Sequence, residues 1–157
     1  MEKDQFVHLA SVDKIPTDKM KPAEKISEQI GQFSGEVTGQ RVLDVEGPLT
    51  ERTVSLNGTI KGIEVSEIAT IVVRPVSAGV FWAEEKGVVM KKDSDMATFR
   101  GYLIGRINST GTMSIRGSLF FSTKSVGSLS FLNNLIGLLE IEVDSSGKFS
   151  EKLWEWK

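Results

Sequence analysis

From Gly31 to the end of the chain, apolar side chains recur at every second position. That period belongs to β-strands with one buried face and not to helices, whose apolar stripe repeats every 3.6 residues. The alternation is clearest between Thr112 and Ser122, where Met113, Ile115, Gly117, Leu119 and Phe121 share one face against Ser114, Arg116, Ser118 and Phe120. Met96 to Ile107 precedes it as a long strand, and Asn108-Ser109-Thr110-Gly111 supplies the turn of a hairpin.

The same reading extends in both directions. Phe33, Gly35, Val37, Gly39, Arg41, Leu43 and Val45 fall on one face of a first strand, which Gly47-Pro48 punctuates. Arg52 to Leu56 resumes the alternation, and Asn57-Gly58 reads as a tight hairpin or a bulge. Ile63 to Val73 is β-branched and is expected to stop at Arg74-Pro75, because proline ends a central ladder. A short strand is expected from Gly79 to Trp82 and another from Val88 to Met90, with a polar turn over Lys91–Asp95. Leu129, Leu132, Leu135 and Ile136 shift toward helical spacing, which predicts one or two helical turns ending at Gly137. Leu138–Asp144 and Phe149–Trp156 form a last hairpin around Ser145-Ser146-Gly147.

About eight strands in sequence, with short turns and no βαβ alternation, predict an all-β fold, an antiparallel meander closed into a barrel. The pairs Gly35/Gly39 and Gly101/Gly105 suit the strong strand curvature that closure requires. An open sheet or a two-sheet sandwich is the rival architecture. Residues 1–30, with Pro16, Pro22 and many charges, are expected to form an N-terminal arm with a short helix from Pro22 to Ile30, so that 31–157 is the single barrel domain. At 157 residues one domain is expected, with a sizeable core.

From Gly79 to Trp156, the spacing of Gly101 and Gly105, Arg116-Gly117, Thr123 with Ser125, Leu132-Asn133 and the closing Trp154-Glu155-Trp156 resembles uncharacterised small proteins related to the allene-oxide-cyclase-like barrels. The resemblance implies a calycin-like, lipocalin-like barrel. It carries over no active site, because no catalytic residue of the plant cyclases matches a position here.

Several function classes are excluded by what the chain lacks. It has no cysteine, which removes disulfides, thiolate metal sites and cysteine nucleophiles, and His8 is its only histidine, which removes multi-histidine metal cages within one chain. Lysines and arginines are dispersed and the net charge is −2, so no nucleic-acid partner is expected. The N-terminus lacks an apolar signal core and no run is apolar enough for a span, so no membrane partner and a cytoplasmic location are expected. The Asn108-Ser109-Thr110 sequon then has no role. No cofactor is expected.

The remaining candidates are polar or aromatic residues on strands. Arg41 shares its face with Val37 and Leu43, which reads either as an interior anion-binding arginine or as a strand-end side chain reaching water. Arg100, Tyr102 and Arg116 form a polar cluster for an acidic apolar ligand if their face points inward; outward is the expected orientation, because the opposite face holds Gly101 and Gly105, and there Tyr102 and Ile104 would suit a subunit contact. Glu140 and Glu142 project from one side of a strand, as an acid/base or cation-holding pair or simply as the wet face opposite Leu139, Ile141 and Val143. Trp82, Trp154 and Trp156 suit a ligand mouth or an interface, and together with Leu153 they favour a homo-oligomer, a dimer first, unless the arm covers them. The ligand-binding set is therefore Arg41, Arg100, Tyr102, Arg116, Glu140 and Trp82. The expected function is binding of a small apolar or amphipathic ligand, an acidic one included. The alternatives are a cofactor-free isomerase or cyclase and an oligomeric scaffold with a filled barrel.

Overall fold

The computed structural model describes residues 27–157. Eight antiparallel strands follow one another around a closed barrel: β1 (Ser27–Asp44), β2 (Leu49–Ile60), β3 (Ile63–Ser77), β4 (Val80–Met90), β5 (Met96–Ile107), β6 (Met113–Ser122), β7 (Ile136–Val143) and β8 (Phe149–Trp156). Each pairs with its sequence neighbours, and Ser27–Gly35 of β1 also pairs with β8, which closes the barrel; beyond Gly35, β1 pairs with β2 alone among the described residues. The expected closed meander is thereby established over the open sheet and the sandwich.

Alternation decides what fills the interior. Val65, Ala69, Ile71 and Val73 from β3, Phe81, Ala83 and Val89 from β4, and Ala97, Phe99 and Leu103 from β5 are all buried. Each large apolar side chain removed from water there contributes about 1.5–3 kcal/mol. Inward glycines make the room: a Cβ on Gly105 would run into the Phe81 ring, and one on Gly58 would meet the backbone of Phe33 at 2.8 Å. Gly58 therefore lies within β2, where the chain crosses close to β1, and the β2–β3 turn is made directly after Ile60 by Lys61 and Gly62, both at positive φ.

The two ends of the barrel differ. At one end the β6–β7 connection folds over the interior through a single 3-10 turn, Ser130–Leu132, the short helical interruption expected near 129–136. Leu129 and Leu132 are fully buried beneath it. Asp95, in the β4–β5 turn, accepts hydrogen bonds from the Leu129 amide at 3.0 Å and the Ser128 hydroxyl at 3.3 Å, and the Lys61 ammonium lies 4.7 Å from the centre of the Phe131 ring. The other end, ringed by the β1–β2, β3–β4, β5–β6 and β7–β8 turns, has no such cover among the described residues.

Four local expectations are corrected. Ser27–Ile30 is strand and not the end of a helix; the remainder of the expected arm and helix lies outside the described residues. β3 runs through Pro75 to Ser77: Pro75 lies beyond the last β2–β3 pair, Thr50 with Val73, so it is paired on one side only, with Phe81, and the register shift after it leaves Val76 unpaired. Val80 to Met90 is one strand, with Gly87 in its interior giving space to the Phe99 ring. In β1 a shift between Val37 and Gly39 leaves Thr38 unpaired and reverses the faces beyond it, so Arg41 does not share a side with Val37.

Candidate functional site

The candidate residues selected by pattern lie on the outer wall. Arg41 is 70% exposed, and its Nε donates to Glu51 Oε1 at 2.8 Å across the β1–β2 ladder, the side its reversed face dictates. Arg100 and Tyr102 alternate with buried Phe99, Gly101 and Leu103, so they point outward. Tyr102 stacks on Trp82 of β4, ring centres 5.7 Å apart. Arg116 stands outside on β6 opposite Glu140 of β7, 3.9 Å away, and forms a 2.8 Å ion pair with Glu142. The two glutamates therefore hold an arginine, and hydrogen bonds from Ser114 and Arg116 keep the Glu142 carboxyl below its ordinary range. Trp154 and Trp156 are likewise on the outer side of β8, opposite in parity to buried Leu153. The wall brings together Arg116 with Glu140 and Tyr102 with Trp82, while Arg41 stands apart from both pairs.

The interior holds a different polar set. Glu67 on β3, Glu85 on β4 and Glu151 on β8 are each 2% exposed or less. Each interrupts a row of inward apolar or glycine positions: Val65, Ala69 and Ile71 around Glu67; Phe81, Ala83, Gly87 and Val89 around Glu85; Phe149 and Leu153 around Glu151. The period that identifies the strands also identifies these residues, as carboxylates written into apolar rows. Burial raises the pKa of all three. Glu85 is pushed up to about 7, Glu151 is raised further by the nearby Glu85 carboxyl, and Glu67 by both of the others. Glu85 Oε2 is buried without a hydrogen-bond partner. Among the described residues no three Asp, Glu, His or Cys are placed to share a metal ion.

Arg52 is the interior's cation. It follows the parity of buried Val54 and Leu56 on β2 and reaches the uncovered end of the barrel. There it lines an open pocket of about 290 Å³ together with Thr50, Val73, Phe81, Ile107 and Met113. Its Nε is buried and has no hydrogen-bond partner. A guanidinium donor left unpaired beside apolar walls is costly unless an acceptor arrives from outside. The arrangement is a shallow cup with an apolar floor and one fixed positive charge.

No family model matches the chain, and no curated protein matches it. Among solved structures, a protein of unknown function from Clostridium acetobutylicum ATCC 824 is 13% identical, with a TM-score of 0.66 over 83% of this chain and 99% of that one. A conserved protein of unknown function from Rhodopseudomonas palustris is 8% identical, with a TM-score of 0.66 over 82% and 95% of the two chains. At this identity the likeness is one of fold, and the allene-oxide-cyclase-like resemblance is left at the level of a similar barrel.

Proposed function

We propose that the barrel binds a small amphipathic acid at its uncovered end. The anionic head rests on Arg52, and the apolar body lies against Val73, Phe81, Ile107 and Met113. The observation that carries this reading is the buried, unpartnered Arg52 Nε in the wall of the mouth pocket. An anion in the pocket pairs with the Arg52 guanidinium and balances its charge, and guanidinium is well suited to carboxylate recognition. The interior glutamates support it in a second way. Burial pushes their pKa values up, which lessens the negative charge behind the arginine that would repel the ligand.

The test is calorimetric titration at pH 6 with decanoate and with decanol, which share a chain and differ in charge. The protein is expected to prefer decanoate, and Arg52→Met is expected to lose about tenfold or more of decanoate affinity while keeping that for decanol. Equal affinity for the two ligands, an unchanged decanoate affinity in the variant, or no binding at all overturns the reading.

One observation favours a second reading, a cofactor-free isomerase. A carboxyl that titrates near neutrality, as Glu85 does, suits general acid–base chemistry. Glu85 does not line the mouth pocket, so this reading requires the substrate to pass Phe81. Turnover that disappears in Glu85→Gln while ligand affinity persists would establish it.

A further inference from the structure

The outer wall of β3 to β6 carries an unpartnered pattern of its own. Cross-strand pairing arranges its outward residues in rows: Ile68, Val88, Thr98 and Ser122; then Thr70, Lys86, Arg100 and Phe120; then Val72, Glu84, Tyr102 and Ser118; then Arg74, Trp82, Ile104 and Arg116. Ile68, Met96 and Phe120 are 49%, 47% and 53% exposed and border one groove of about 790 Å³ that also takes in Lys86 and Arg100. Tyr102 and Ile104 are exposed on the same wall. Large exposed apolar side chains scattered singly need no explanation, whereas a connected set crossing four strands marks an interaction surface.

The charges on this wall decide what covers it. Glu84 and Lys86 are exposed neighbours on the same side of β4, and among the described residues neither of them, nor Arg100, has an ion-pair partner within the chain. We infer that this wall docks a second copy of the same chain, β4 against β4 in opposite directions, about a two-fold axis that crosses β4 between Glu84 and Lys86. That operation pairs the unpartnered charges of β4 with one another. It sets Lys86 of each copy over Glu84 of the other, two reciprocal pairs from one strand, and Arg100 over the ring face of the other copy's Tyr102. It also lays Val88 against the opposite Trp82 and Thr98 against the opposite Ile104, while Ile68 faces the opposite Arg74 and Phe120 the opposite Ser118. A partner of uniform charge would satisfy one of Glu84 and Lys86 and oppose the other. A second copy satisfies both.

The test reads mass in solution and uses charge exchange. Sedimentation velocity of the full chain from 1 to 200 µM is expected to show a species of about twice the 17.3 kDa chain mass. Lys86→Glu places four like charges at the axis and is expected to weaken association by about tenfold or more. Lys86→Glu combined with Glu84→Lys restores the reciprocal pairs and is expected to recover it, and circular dichroism melts of each variant confirm that these exposed changes leave the barrel folded. A wild-type chain that stays monomeric throughout this range overturns the inference. So does a dimer indifferent to Lys86→Glu, or a double variant that remains as weak as the single one.

Discussion

Arg52 on β2 and Glu85 on β4 are both cross-strand partners of Ile71, one on either side of it, and each carries a buried polar atom without a hydrogen-bond partner. Two strand spacings set their backbones about 10 Å apart. Opposite charges so placed would be expected to pair, yet no ion pair joins them. The barrel resolves the two costs differently: Arg52 keeps its charge by reaching the open mouth, and Glu85 sheds its charge by holding a proton.

The first prediction follows from the proton. In the unfolded chain glutamates ionise near 4.5, whereas in the barrel Glu85 titrates at about 7 and Glu67 and Glu151 are also raised. Between those limits the folded state binds more protons, so stability falls as pH rises. The charged groups acting on this cluster are the three carboxyls themselves; their inward neighbours on β3, β4 and β8 are apolar or glycine. The contribution is whole below pH 4.5 and is lost as pH climbs through 7, and Glu85 alone accounts for roughly 3 kcal/mol of it. Urea denaturation at pH 5 and pH 8.5 is expected to show the lower midpoint at pH 8.5, and Glu85→Gln to narrow the gap. Equal midpoints would contradict neutral interior carboxyls.

Arg52 gives the second. Replacing a buried polar group by an apolar one of similar shape is neutral or stabilising when that group lacked a partner. Arg52→Met is therefore expected to leave the ligand-free barrel unchanged or up to about 1 kcal/mol more stable, although it abolishes the proposed anion site. Gain of stability with loss of binding is the signature of a residue kept for function. A loss of 2 kcal/mol or more in equilibrium unfolding would show instead that Arg52 supports the wall.

Much of this fold was legible because a barrel wall with a dry inner and a wet outer face writes its geometry in every second residue. Met96–Ile107 is delimited by the sequence to the residue, and the β5–β6 and β7–β8 hairpins follow. Parity failed where one residue was inserted: the unpaired Thr38 turns Arg41 from an interior candidate into a surface partner of Glu51. The same parity marks three interior carboxylates. Glu67, Glu85 and Glu151 sit in phase with valine, alanine and phenylalanine, and a charge in an apolar row is the stronger functional signal than Glu140 and Glu142, which share the wet face of β7. Which end of the barrel is covered was beyond the period, since the Leu129–Leu135 segment is not a strand and its seat depends on Asp95 from another turn.

That seat supports a third prediction. Asp95 holds the covering segment through the Leu129 amide and the Ser128 hydroxyl, and the Ser125 side chain first, then these two groups, keep its pKa low. Asp95→Ala is expected to accelerate amide exchange at Leu132 and Leu135 while leaving Ile115 and Leu139 in the wall protected. The opening is local, because strand pairing does not depend on the cap. Uniform acceleration throughout the barrel would mean that cap and wall unfold as one unit.

The glycines allow a fourth, in which a single added methyl group has opposite consequences on one barrel. Gly105 faces inward against the Phe81 ring, which has Glu85 and Ala83 below it on β4 and the mouth pocket above, so the ring has nowhere to retreat without closing that pocket. Gly105→Ala overfills the interior and is expected to cost about 1–3 kcal/mol. Gly39 is exposed on β1, and a Cβ there meets only Thr53 at 3.9 Å, an ordinary contact. Gly39→Ala is expected to be neutral or stabilising by up to about 1 kcal/mol, because alanine loses less chain entropy on entering a strand. Thermal melts of the two variants separate the roles. If Gly105→Ala also weakens decanoate binding more than its stability loss predicts, Phe81 has been driven into the mouth, and the wall and the pocket are coupled through that one ring.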